Sequence, residues 1–196
     1  MSTVTPTTSF DAPPGPIHRF TVAEYHQLGE MGVLTPEDRV ELLEGWIVEK
    51  MNQRPAHGFA VRLLNDWFQS NLAKRWLTQC QVPLTTDRSE PEPDIAVVVG
   101  EHNDCRHRHP SGSDCRLVIE VAESSLTRDR AMAAIYAAAD VPEFWIVNLL
   151  EKQVEVFRNA KGSIYQGTKI CRASESIEFL VGKQALRLPS SEIFAD

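Results

Sequence analysis

Three segments of the chain are apolar at nearly every position: "DIAVVVG" from Asp94, "RLVIEV" from Arg116 and "EFWIVN" from Glu143. A strand with one face in water alternates apolar and polar residues, whereas a strand covered on both faces has no need to. These segments therefore predict a sheet with material packed on each side. The chain between and around them supplies it. "HGFAVRLLNDWFQSNLAKRW" places Leu63, Leu64, Trp67, Phe68 and Leu72 along one helical face. "TRDRAMAAIYAAAD" reads as a helix capped by Thr127 or a nearby serine. Strands and helices interleave, which gives an α/β (α+β) fold class.

The remaining elements follow from local signals. "FTVAEYHQLGEMG" carries a capping box, Thr21 with Glu24, and predicts a short helix closing near Gly32. "LTPEDRVELLEG" predicts a second one, with Thr35 as N-cap, Pro36 at the first helical position and Gly45 at the stop. "WIVEKM" and "CQVPLTT" read as strands, the latter separated from "DIAVVVG" by the polar turn "DRSEPEP". "QVEVFRN" and "GSIYQGTKICR" predict a hairpin through "NAKG", and short strands finish the chain. A length of 196 residues suits one domain, expected over 19–196 after a disordered Thr/Pro-rich leader at 1–18. That leader has neither the basic start nor the apolar stretch of a secretory signal, and no apolar run reaches a membrane span. A cytoplasmic protein is expected, with Cys80, Cys105, Cys115 and Cys171 as free thiols.

The net charge of −7 speaks against a protein that coats nucleic acid through phosphate contacts. It leaves room for an enzyme with a local basic cleft. The loop "EHNDCRHRHPSGSD" gathers His102, Cys105, His107 and His109 just ahead of Cys115. Its Cys-x-His-x-His spacing matches no familiar zinc module, and the better reading is a solvated loop. With Arg106, Arg108 and Arg116 it offers local positive charge for phosphates.

Glu120 lies inside "LVIEV", where an ionised carboxylate costs several kcal/mol unless something compensates. It must pair with a basic group, be protonated or hold a metal. Asp94 opens the preceding apolar strand, and neighbouring strands lie about 4.8 Å apart. If the two strands pair, both carboxylates converge and repel. A divalent cation such as Mg²⁺ or Mn²⁺ resolves that repulsion with oxygen ligands. The alternative is structural: Glu120 bonded to a backbone group or to Arg116, and Asp94 capping a turn after Pro93.

The order of segments adds to this. "PD", a loop and then an apolar strand with Glu resembles the PD-(D/E)XK nucleases of the restriction-endonuclease-like fold. "ELLEGWIVEKM", "EPEPDIAVVV", "LVIEVAESSLTRDR" and "YAAADVPEFWIVN" together resemble the Uma-type restriction endonuclease family, from about Phe20 to "LPSSEIF". The resemblance implies a central mixed β-sheet flanked by helices, with Mg²⁺- or Mn²⁺-dependent hydrolysis of DNA phosphodiester bonds by a homodimer. Carried over, Asp94 and Glu120 match the metal-binding carboxylates, and the backbone carbonyl of Val121 is a further ligand. Glu41 matches an acidic residue at the end of an early helix, either facing the site or standing as a solvated helix-end charge. His57 matches a histidine opening the long helix. It either touches the substrate or shuttles a proton, or, the better reading, simply bonds its neighbours at the helix start.

One position departs from that pattern. The motif calls for Lys two residues after Glu120, where Ala122 stands. In many family members the Lys has moved to the next helix, one turn before the Tyr, where this chain has Met132. Arg130, or failing that Arg128, is the expected substitute, able to stabilise charge but not to act as a base. The alternative is a catalytically inactive relative that kept the fold as a binding or interaction module.

Overall fold

The computed structural model describes residues 15–194, so most of the expected leader lies outside it. Its centre is a six-stranded sheet in the order β3-β4-β5-β6-β7-β8. The strands are β3 (Trp76–Gln79), β4 (Ile95–Val99), β5 (Cys115–Ala122), β6 (Glu143–Asn148), β7 (Gln153–Lys161) and β8 (Ile164–Arg172). Only β5 and β6 run parallel; every other neighbouring pair is antiparallel, so the sheet is mixed. A parallel pair needs a crossover connection, and helix α3 (Leu126–Ala138) makes it.

Both faces of the sheet are covered, which is why the three central strands do not alternate. Ile95, Val97, Leu117, Ile119 and Val121 pack with Phe68 of helix α2 (Pro55–Asn71) and with Phe179 and Leu188 of the last two strands. Those strands, β9 (Ser176–Val181) and β10 (Gln184–Pro189), form an antiparallel hairpin on that side. Ala96, Val98, Val118 and Ala122 point the other way, onto Ile135 and Tyr136 of α3. All six residues of β6 are buried, with Trp145 set edge-on to Phe179 at 4.8 Å between ring centroids. Its indole Nε1 donates to Glu143 Oε1 at 2.8 Å, and Arg158 donates twice to the same oxygen. That buried carboxylate is thus paired, as burial requires.

The first helix, α1 (Val22–Glu30), forms behind the Thr21/Glu24 capping box. The second expected helix does not. Thr35 caps only a 3₁₀ turn at Pro36–Asp38, and Arg39 then turns left-handed at φ 49°. The chain continues as β1 (Val40–Leu43), which pairs antiparallel with β2 (Trp46–Glu49). Glu44 and Gly45 link them with φ of 50° and 80°, the paired positive angles of a tight hairpin turn. The glycine read as a helix stop is a turn glycine, and Leu42 is fully buried on extended backbone. Glu41 therefore belongs to a strand, not to a helix end.

Two boundaries also shift. β3 precedes "CQVPLTT", because Gln81 (φ 55°) and Pro83, which has no N–H, break the ladder there. The β7–β8 hairpin turns at Gly162 (φ 59°) and Ser163, so "NAK" lies within β7. Among the described residues no helix is long and apolar enough to cross a membrane.

Candidate active site

β4 and β5 pair with Ile95 opposite Ile119, and one further step along that register sets Asp94 opposite Glu120. Both side chains leave the sheet on the α3 side. Each carboxylate also holds the other's strand. Asp94 Oδ2 accepts from the Val121 amide at 2.8 Å, and the Asp94 amide donates to Glu120 Oε2 at 3.3 Å. Tyr136, reaching down from α3, donates its hydroxyl to Glu120 Oε1 at 2.6 Å. Among the described residues no basic side chain is bonded to Glu120; Arg116 faces Glu143 instead, at 3.8 Å.

Glu120 keeps some exposure at the cleft while the protein strips water from its carboxyl group. Desolvation therefore pushes its pKa well above the usual carboxylate range. The neighbouring charges of Asp94 and Asp129 push the same way, and the Tyr136 and Asp94 hydrogen bonds only partly oppose them. So of the three ways to accommodate Glu120, pairing with a basic group is not the one used. A proton or a cation remains.

Around this pair is a cleft of about 380 Å³. His57, in the first turn of α2, places Nε2 2.9 Å from Asp94 Oδ2, while its Nδ1 is buried without a partner. Burial lowers the imidazole pKa, but the Asp94 hydrogen bond and the charges of Asp94, Asp129 and Glu123 outweigh it and raise the value. Glu41 is buried beside the cleft, with Oε2 accepting from the Glu92 amide at 3.1 Å and Oε1 paired with Arg128. Asp129 is buried as well, and desolvation raises its pKa to about 6 against the hydrogen bond from Ser125 Oγ at 2.5 Å.

The sequence-predicted residues are thus mostly brought together. Asp94, Glu120, Val121, His57 and Glu41 all line the cleft, as does Met132. For Val121 the bond present at the site is the amide's, to Asp94. Arg130 is not brought there: its guanidinium binds Glu155 of β7 at 2.5 and 3.0 Å, and its side chain is 52% exposed. Arg128 lines the cleft in its place. Asp129, Glu92 and Lys50 are lining residues that the sequence pattern does not single out. The described side chains of the His/Cys loop contribute nothing to this cleft. Cys115 is a core thiol whose pKa burial raises to about 12, Arg108 pairs with Asp114, and the His102 side chain lies outside the described part.

Among the described residues no three His, Cys, Asp or Glu side chains stand ready to cage an ion. The donor set that does exist is two adjacent carboxylates, hard oxygen ligands with no cationic side chain on Glu120. That chemistry fits Mg²⁺ or Mn²⁺, which keep several waters and need only one or two protein carboxylates.

The fold resembles the crystal structure of "a putative nuclease belonging to DUF820" from Anabaena variabilis ATCC 29413, with a TM-score of 0.72 and 18% sequence identity. The match covers 90% of this chain and 98% of that one. No curated protein matches the sequence. The family model described as "Putative restriction endonuclease" (Uma2) matches residues 22–189, which takes in every strand and helix that builds the cleft. The chain belongs to that restriction-endonuclease-like family.

Proposed function

We propose that the protein is a divalent-metal-dependent endonuclease that hydrolyses DNA phosphodiester bonds at the Asp94–Glu120 cleft. The observation that carries this is Glu120: a desolvated carboxylate beside a second one, with hydrogen bonds from Tyr136 and Asp94 but no basic partner among the described residues. Asp94 and Glu120 would hold Mg²⁺ or Mn²⁺, with the Val121 carbonyl as a further ligand. A bound ion of this kind supplies Lewis acidity toward a phosphoryl oxygen. The chain's own groups do the rest. Tyr136 fixes the Glu120 carboxylate, and the Val121 amide and His57 fix that of Asp94. His57 Nε2 already donates to Asp94, so it positions the carboxylate and can pass a proton to it. Glu41 anchors Arg128 at the cleft wall. Residues 19–196 would act as one domain, and two chains together as a homodimer, an expectation that rests on the family and is checked by light scattering.

The first test is thermal unfolding with and without Mn²⁺, which needs no knowledge of the DNA cut. A ligand at 100 times its dissociation constant adds about 2.7 kcal/mol to the folded state. In a domain of this size that raises Tm by roughly 5–10 °C. The rise is expected in the wild type and absent in Asp94→Asn. A wild type that binds no Mn²⁺, alone or with DNA present, would remove the metal site.

A second reading has its own observation. Met132 lines the cleft where the family's helix offers a lysine, which favours an inactive relative that binds DNA or a partner without cleaving it. Cleavage of plasmid DNA by the wild type, lost in Asp94→Asn, decides between the two.

A further inference from the structure

Resting on that nuclease reading, we propose that Lys50 supplies the cationic group that α3 lacks at Met132, reaching the scissile phosphate from the β1–β2 hairpin. Cross-strand partners share a face of a sheet, and Glu41 pairs with Val48. Lys50 lies two residues beyond Val48, so it projects on the same face as Glu41, toward the cleft that both line. Its Nζ lies 2.5 Å from Glu92 Oε1. Glu92 stands two residues before Asp94, and both line the cleft. The ammonium is thereby held next to the carboxylate strand from which the metal ligand comes.

The other cations of the cleft are less suited. Arg128 is tied to Glu41, a buried carboxylate whose second oxygen is taken by the Glu92 amide, so this pair is part of the wall. Arg54 sits at the rim, 66% exposed, 3.7 Å from Glu123. Arg39 is exposed and donates to Asn52. Lys50 differs from all three. It is one-quarter exposed and its partner Glu92 is equally open to the cleft. An ammonium carries three donors, and one carboxylate contact leaves others for a phosphoryl oxygen. Such a donor aimed at charge that grows in the transition state acts on kcat more than on substrate binding.

The test is Mn²⁺-dependent cleavage of plasmid and single-stranded DNA by the wild type, Lys50→Met, Lys50→Arg and the double variant Lys50→Met/Met132→Lys. Lys50→Met is expected to lose about a hundredfold in kcat, with KM changed by less than about threefold. Its Tm rise with Mn²⁺ should match the wild type, showing that the carboxylate pair is undisturbed. Lys50→Arg should keep part of the activity, and the double variant should regain part of it by returning the charge on α3. Wild-type cleavage that survives Lys50→Met intact overturns the role of Lys50 and leaves the nuclease standing. No cleavage by the wild type overturns the nuclease reading, and the Lys50 role with it.

Discussion

Asp129 faces the cleft in surroundings that favour its protonated form, with a pKa of about 6 against 3.8 for an unperturbed group. The sign of the consequence is fixed. A raised carboxyl pKa leaves folding unpenalised below about pH 4, and the penalty grows until the folded group has ionised above about pH 6. Two pKa units correspond to about 3 kcal/mol at most. Asp129→Asn, which can still accept from Ser125, should therefore raise Tm at pH 8 by several degrees and leave it unchanged at pH 4, measured without divalent cations. Which residues could be found from sequence follows from the same physics. Asp94 and Glu120 were legible because a charge inside an apolar run has to be explained. Arg130 was the wrong choice for the cleft because two residues along a helix turn the side chain to the opposite face. Arg128, Met132 and Tyr136 stand four apart and form one stripe, and counting back by fours would have found Arg128. Lys50 carries no such signal, since its partner Glu92 lies on another element.

Elements meet at a few glycines. Gly112, in the short turn before β5, has the carbonyl of Ala139 at the end of α3 directly where a Cβ would stand. The close approach locks the start of β5 against the C-terminal end of the crossover helix. Gly112→Ala has no free space and faces backbone, so it should cost about 3 kcal/mol, a drop in Tm of roughly 6–12 °C. The same substitution at the open Gly29, inside α1, should instead leave Tm unchanged or raise it, a gain of up to about 1 kcal/mol. No atom lies within 4 Å of its Cβ position, and alanine is the better helix former. Element type was legible for the long periodic and the wholly apolar segments. It failed at "PEDRVELLEG", where helix and hairpin compete: a capped first turn favours one, and the Glu-Gly pair favours the other. The hairpin prevails because it buries Leu42 and bridges to Glu90, contacts that only the folded chain reveals.

For the molecule as a whole, a net charge of −7 means that the proposed function requires DNA to be met through a local surface. Arg39, Lys50, Arg54 and Arg128 all line the one cleft, and Arg54 at its rim is the most exposed of the charged pair it forms with Glu123. DNA affinity should fall as salt rises, and Arg54→Ala should weaken it evenly across sequences while lowering the log–log salt slope by about one. Fluorescence anisotropy at several salt concentrations, with Asp94→Asn as the parent to prevent cleavage, reads both effects. The parallel β5–β6 pair has a consequence in time as well as in space. Its two strands cannot pair until α3 has closed the crossover, and such non-local pairings form slowly. Asp94 and Glu120 both precede Tyr136 and β6 in the chain. Until those later segments have docked, Glu120 lacks the hydroxyl that orients it and the strand that covers its own. Closure of the cleft thus waits on the segments that follow β5, and a truncated product that ends before α3 carries both acidic residues without a formed cleft.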